Sequence, residues 1–154
     1  MKRFLLFAAA ATVALLSGCN KPDEEEQTQE TITVSLTVTP GDDNSATISA
    51  ELTAGTFHGA KIIEMMNFDD VTIDLESEIQ LTNYVIDNGV DIDQMPYNKT
   101  LTDIRIGQDK FTAIIVYDST GRAVDVEYVK WTPLGLPDGW STENNPGKLD
   151  EIEW

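Results

Sequence analysis

The chain has 154 residues, of which 27 are acidic and 10 are basic, so its formal charge is −17 at neutral pH. The length suits one domain with extensions. So negative a chain is repelled by other polyanions, which argues against nucleic acid as a partner. With a single cysteine in the sequence, no intramolecular disulfide can form, so a folded domain must be stabilised by burial of apolar side chains.

The first eighteen residues have the pattern of a secretory signal. Lys2 and Arg3 precede an apolar run of thirteen residues, Phe4 to Leu16. As a helix this run rises about 20 Å, which is short of the roughly 30 Å hydrocarbon core of a bilayer. A basic start, a short apolar run and small residues before a break indicate a cleaved signal peptide rather than a membrane-spanning helix. We therefore expect residues 1–18 to be removed.

The end of this segment, Leu16-Ser17-Gly18-Cys19, places two small residues before the only cysteine. It resembles the lipobox of bacterial lipoproteins. The resemblance implies cleavage before Cys19 and acylation of its thiol and new amino group by palmitate-like chains. Several acyl chains anchor a protein to a membrane far more firmly than one. The alternative is an ordinary signal with a coincidental cysteine.

Residues 19–30 carry the lipidation site and an acidic stretch, NKPDEEEQTQE, that lacks aliphatic and aromatic side chains. Such a composition predicts a disordered tether. Loss of Lys2 and Arg3 would leave 8 basic and 27 acidic residues, a formal charge of −19. Lys21 followed by Asp23 to Glu26 resembles the acidic signal that directs Bacteroidota lipoproteins to the outer surface of the outer membrane. A solvated spacer is the alternative interpretation.

Alternation of apolar and polar residues predicts a β-hairpin after the tether. TITVSLTVT, from Thr31 to Thr39, places Ile and Val on one face and Thr and Ser on the other. ATISAELT, from Ala46 to Thr53, alternates in the same way, and residues 40–44 between them are rich in turn formers. A third strand is predicted over residues 60–66.

A helix is predicted over residues 74–88, with Asp74 as its N-cap and Asn88-Gly89 as a left-handed stop. Its candidate buried positions at helical spacing are Leu75, Ile79 and either Val85 or Ile86.

Four further extended segments follow the predicted helix. Residues 90–97 and 98–104 are short. KFTAIIVYD, from Lys110 to Asp118, is apolar on both faces, which predicts a central strand covered on both sides. Gly121 is expected to take a positive φ in the turn before the last strand. About seven strands over residues 31–131 predict an all-β sandwich, and residues 132–154 have no periodicity and are predicted to be an irregular tail.

Two motifs in this region resemble a known family. Leu101, Ile104 and Gly107, leading into Phe111-x-Ala113-x-Ile115, resemble the E-to-F corner of fibronectin type III domains. MPYNKTLTDI and FTAIIVYDSTGRA resemble fibronectin-like domains of Bacteroidota surface lipoproteins. The resemblance implies an immunoglobulin/fibronectin III-like β-sandwich with one inserted helix. Phe111 stands where the family has a tyrosine, so the hydroxyl that would bond back to the backbone is missing.

Few residues have the pattern of a chemical site. His58 is the only histidine, and a lone histidine in a loop is more often solvated than catalytic. Asp87, Asp91 and Asp93 form a weak calcium candidate, because calcium requires six to eight oxygen ligands. Trp140 and Trp154 lie in the tail among polar residues, where they would either stack on a sugar or cover the sandwich.

We therefore expect a lipid-anchored, non-catalytic binding or adhesion module without a cofactor, whose partner is a glycan or a protein. A structural spacer in a surface complex and a small hydrolase that uses carboxylates are the alternatives. Asp118-Ser119-Thr120 also resembles the O-glycosylation site of the same bacterial group, although DSTG is complete as a turn without a glycan.

Overall fold

The computed structural model describes residues 30–135. In these residues it contains seven strands and one α-helix, with a short 3₁₀ turn at Phe68–Asp70. The strands are β1 (Thr33–Gly41), β2 (Ser45–Ala54), β3 (Ala60–Asn67), β4 (Val90–Ile92), β5 (Tyr97–Leu101), β6 (Lys110–Tyr117) and β7 (Ala123–Trp131), and the helix α1 is Glu78–Asn88.

The strands form two antiparallel sheets, ordered β1-β2-β5 and β4-β3-β6-β7. Ile48 and Ala50 of the first sheet pack against Ile62, Ile114 and other buried residues of the second, which makes the inner core. This arrangement confirms the predicted all-β sandwich of about seven strands with one inserted helix. The alternation in β1 and β2 produces it because side chains two apart share a face of a strand.

Helix α1 covers the outer face of the four-stranded sheet. Leu81 and Val85, four residues apart on one helix face, pack against Ile63, Ala113 and Ile115. Strand β6 therefore has the helix on one side and the other sheet on the other, and all its residues from Lys110 to Val116 are buried. The prediction of a central strand covered on both faces is confirmed.

The helix ends at Asn88 as predicted, but its predicted start and the left-handed geometry of its stop are wrong. Asp74 does not cap α1; its backbone and side-chain oxygens accept from the amides of Ser77 and Glu76 at 3.1 and 3.0 Å, and this turn delays the helix until Glu78. Gly89 is extended, with φ −83° and ψ 157°, because the chain passes directly into β4. A Cβ there would lie 3.3 Å from the Ile62 carbonyl, so the glycine provides close approach rather than left-handed geometry. Of the predicted buried positions in α1, Val85 is buried, whereas Ile79 is 76% exposed because Leu81, not Ile79, shares the buried face with Val85.

Phe111 is completely buried beneath α1. Its ring packs edge-on against Tyr84, with centroids 6.4 Å apart, and stacks on Tyr128 at 5.8 Å. A phenylalanine suits this position, since the ring is surrounded by other apolar groups and a hydroxyl would need a partner.

The first and last described residues lie at opposite ends of the sandwich. One, which we call the near end, holds residues 30–32, the β2–β3 loop and the β6–β7 turn, where Gly121 has the expected positive φ of 80°. The opposite, far end holds the β1–β2 turn and the β5–β6 loop, joined by a 2.9 Å bond from the Ile104 amide to the Asn44 carbonyl. The last described residue, Gly135, lies against Asn44 at the far end. The chain therefore enters this domain at the near end and leaves it at the far end.

Candidate functional site: the hydroxyl face

The residues of the predicted lipobox, Leu16, Ser17, Gly18 and Cys19, lie outside the described residues. So do both tail tryptophans, Trp140 and Trp154. Among residues 30–135, no helix is both long and apolar enough to cross a membrane.

The three aspartates of the calcium hypothesis are not brought together. Asp87 lies near the end of α1, Asp91 is in β4 with its carboxylate 3.8 Å from Lys61 Nζ, and Asp93 follows β4. In the described part of the chain, no group of three or more His, Cys, Asp or Glu side chains is arranged to hold a metal ion.

His58 takes part in a surface contact at the near end. Glu30 accepts a hydrogen bond of 2.7 Å from Thr56, and its other carboxylate oxygen lies 3.4 Å from His58 Nε2. The bonds from Thr56 and His58 hold the pKa of Glu30 below its usual value. The arrangement fixes the start of the domain to the β2–β3 loop.

The outer face of the three-stranded sheet is covered with hydroxyl and amide groups, and we call it the hydroxyl face. Because the strands are in register, side chains form rows across it. One row contains Thr37, Ser49 and Asn98, in which the Ser49 hydroxyl donates to the side-chain amide oxygen Oδ1 of Asn98 at 2.9 Å. The next row contains Thr39, Thr47 and Thr100. Rows two residues apart lie about 7 Å from each other, and neighbours within a row about 5 Å apart.

Two shallow hollows adjoin each other on this side of the molecule. The first, of about 320 Å³, lies on the hydroxyl face itself; its lining residues are Ser35, Thr37, Ser49, Ala50, Glu51, Pro96 and Asn98. The second, of about 380 Å³, lies at the β4–β5 loop; its lining residues are Ile92, Asp93, Gln94, Pro96, Tyr97 and Asn98. Pro96, which follows a cis peptide bond, and Asn98 border both hollows. Together the hollows form a continuous depression whose lining is partly polar and partly apolar.

A polar cluster between the sheets fixes the strand that carries Asn98. Glu64 of β3 accepts hydrogen bonds of 2.5 Å from Tyr97 Oη and from Lys99 Nζ, both of β5. Partial burial tends to raise the pKa of Glu64, but the bonds from Lys99 and Tyr97 outweigh it and leave the pKa below its usual value. Burial, together with the Glu64 carboxylate, raises the pKa of Tyr97. We call these three residues the Glu64 cluster.

A second candidate lies beside the helix. A groove of about 280 Å³ between the start of α1 and β7 is lined by Glu76, Glu78, Asp125 and Glu127, among others. Burial and the neighbouring Asp125 charge raise the pKa of Glu127. Asp125 also has a structural role, since its carboxylate accepts from the Val34 amide at 2.8 Å. The groove therefore has a pair of acids in different environments, but one of them holds β1 against β7.

No family model matches this chain, and no curated protein matches it. The site must therefore be judged from its own geometry. The sequence contains a signal for the hydroxyl face, because the polar positions of TITVSLTVT are all Thr or Ser. The contribution of the β4–β5 loop could not be anticipated, because it depends on the pairing of β5 with β2.

Proposed function

We propose that the chain is a lipid-anchored lipoprotein of the outer membrane that binds a glycan on its hydroxyl face, as a non-catalytic binding or adhesion module. The observation that carries the proposal is the continuous depression around Pro96 and Asn98. Sugars present hydroxyls that both donate and accept, and Ser, Thr and Asn side chains do the same. Pro96, which borders both hollows, adds apolar surface for the C–H face of a sugar ring.

The position of the termini supports the same proposal. An anchor at Cys19 would attach the near end to the membrane through a tether of twelve residues, 19–30, which spans at most about 40 Å. A nine-residue strand such as β1 extends for about 30 Å. The hydroxyl face would then stand beside the tether axis and remain open to a ligand in the medium.

Two experiments test the anchor and the ligand separately. Cells grown with an alkyne-labelled palmitate should label the full chain, and Cys19→Ala should abolish both the label and membrane fractionation. For the ligand, the full chain in mild detergent is applied to a glycan array and positive glycans are titrated by calorimetry. Asn98→Ala should weaken binding, whereas Ser119→Ala, an exposed hydroxyl in the β6–β7 turn, should not. Labelled protein that binds no glycan at millimolar concentration would favour the structural spacer.

The acidic groove favours one alternative, a hydrolase that uses carboxylates. Glycoside hydrolysis uses two carboxyl groups with different pKa values, one as acid and one as nucleophile or base. The raised pKa of Glu127 beside Asp125 fits that requirement in part. Hydrolysis of nitrophenyl glycosides by the full chain, abolished in Glu127→Gln, would establish this activity. We favour the binding module, because the Asp125 carboxylate is already occupied by the Val34 amide.

A further inference from the structure

Strand β3 is longer than β4, its neighbour on one side. The short β4 pairs only with Ala60–Ile62. From Ile63 to Asn67, β3 pairs with β6 on one side, and no strand within residues 30–135 pairs with it on the other. An edge of this kind presents main-chain N–H and C=O groups that another strand can use. The open segment is about 17 Å long, enough for a five-residue strand.

An apolar groove of about 320 Å³ runs along this open edge, and we call it the β3 groove. Its lining includes Ile63, Met65 and Met66 of β3, Val90 of β4 and Leu101 of the other sheet. Met65 is 41% exposed and Val90 is 55% exposed. Methionine side chains are flexible and polarisable, so they adapt to apolar groups of different shapes.

Acidic residues lie at both ends of the β3 groove. Asp69 and Asp70 follow β3 directly, at the far end of the sandwich, and both are exposed. At the other end, Asp87 is exposed on the last turn of α1 and Asp91 is exposed in β4. Lys61 lies 3.8 Å from Asp91 and neutralises part of that charge. The groove thus has a mainly apolar lining, in which the Glu64 carboxylate is paired with Lys99, and exposed acidic residues follow at its two ends.

We propose that the β3 groove binds an extended segment of a separate protein, which adds a strand to β3 and carries apolar side chains between basic ends. Main-chain pairing provides affinity in this mode, and pockets for alternate side chains provide specificity. A bulge in β3 between Ile63 and Met66 interrupts the regular edge. Bulges of this kind disfavour unselective pairing of edges, so binding depends on the side chains that fill the groove.

Charge disfavours the two other occupants. In a second copy of this chain paired antiparallel at β3, the acidic ends of one groove would face the acidic ends of the other. The chain's own C-terminal sequence, GKLDEIEW, contains three acids and one lysine, and the N-terminal NKPDEEEQTQE contains five acids and one lysine. Like charges in close proximity oppose association. The complementary partner is therefore basic.

The test uses the full chain in mild detergent and a fluorescent synthetic peptide, Lys-Lys-Val-Thr-Val-Thr-Val-Lys-Lys, titrated by anisotropy. A second peptide of the same sequence carries N-methyl groups at alternate backbone amides, which keeps charge and side chains but prevents strand pairing. Met65→Gln removes the exposed apolar group from the groove. Ile79→Gln is the matched control, because Ile79 is an exposed apolar residue on α1 that does not line the groove.

We expect the unmodified peptide to bind and the N-methylated peptide to bind at least tenfold more weakly. Met65→Gln should raise the dissociation constant about tenfold, while Ile79→Gln leaves it within twofold. Hydrogen exchange should show new protection over residues 63–67. Equal binding of the two peptides, protection elsewhere, or absence of binding at millimolar concentration would each overturn the proposal. Protection of residues 63–67 from hydrogen exchange without any peptide would also overturn the proposal, in one of two ways. Protection that increases with protein concentration would assign the groove to a second copy of the chain. Protection that is independent of protein concentration would assign it to the chain's own tail.

Discussion

Replacement of Thr112 by valine should be among the most damaging conservative changes in the domain. Thr112 lies in the middle of β6 and is fully buried. Its hydroxyl donates to the Glu64 carbonyl at 2.8 Å and accepts from the Trp131 indole N–H at 2.9 Å. Valine has nearly the same shape, so the change removes two hydrogen bonds while leaving the packing almost unaltered.

The expected loss follows from the two groups that would be left without a partner. An unsatisfied buried donor or acceptor costs about 1–3 kcal/mol, so the Glu64 carbonyl and the Trp131 indole together predict a loss of roughly 2–6 kcal/mol. Small domains have a total free energy of unfolding of about 5–15 kcal/mol. Thr112→Val should therefore lower the urea midpoint by about 1–3 M, given a slope of about 2 kcal/mol per M.

Urea unfolding followed by far-UV circular dichroism measures this loss. Thr100→Val is the control, since Thr100 is an exposed hydroxyl on β5 and should change stability by less than about 0.5 kcal/mol. Trp131→Phe completes a double-mutant cycle. The double variant should lose about 1–2 kcal/mol less than the sum of the single variants, because phenylalanine no longer leaves a buried N–H unpaired. If Thr112→Val matches Thr100→Val, the hydroxyl does not hold these groups together and the reasoning fails.

Three further changes have definite expected outcomes. Gly55→Ala should lower the free energy of unfolding in urea by over about 1 kcal/mol more than Gly107→Ala does. Both glycines have positive φ, but a Cβ on Gly55 would lie 2.8 Å from a backbone oxygen, whereas a Cβ on Gly107 would face open space. Equal losses would mean that φ alone determines the cost. Lys99→Met should lower the free energy of unfolding by about 1 kcal/mol at pH 7; the loss is small because the Lys99 side chain is 45% exposed and water screens its ion pair with Glu64. Since the pKa of Glu64 is lowered in the folded state, this stabilisation is present above the unfolded value of 4.5, so the difference from the unchanged protein should shrink as the pH falls below it; a pH-independent difference would contradict the ion pair. Glu127→Gln should stabilise the domain by about a few tenths of a kcal/mol at pH 7.5. The pKa of Glu127 is raised in the folded state, so its ionised form is unfavourable there, and the gain should disappear near pH 4, where the carboxyl is protonated. No gain at pH 7.5 would show that Glu127 is fully solvated.

The sandwich could be predicted from the sequence because its signals are local. Strict alternation in β1 and β2 defines which face is buried, and the double-sided apolar pattern of β6 indicates layers on both sides. The sequence predicts the helix in the correct interval and Val85 as a buried position, but it wrongly places Ile79 on the buried face. Its phase depends on where the Asp74 turn ends, and Ile79 and Leu81 are equally apolar in the sequence.

The candidate sites were less predictable because they depend on pairings between distant segments. The Glu64 cluster joins residues more than thirty positions apart, across two sheets. The open edge of β3 exists because β4 stops after three residues, which neither its composition nor its periodicity indicates. The bulge in β3, with the Glu64 carbonyl bonded to Thr112, also arises only when the strands are paired.

The position of α1 determines which outer face of the sandwich stays polar and exposed. A two-layer sandwich has two outer faces, and α1 covers one of them with Leu81 and Val85. The residues beneath it, such as Ile115, are apolar and buried, so they cannot meet a soluble ligand. On the uncovered face, every second residue of β1 from Thr33 to Thr39 is Thr or Ser. These hydroxyls need water or a ligand as a partner, because only some of them bond to each other. Within residues 30–135, the two proposed binding surfaces, the hydroxyl face and the β3 groove, are thus surfaces that α1 does not cover.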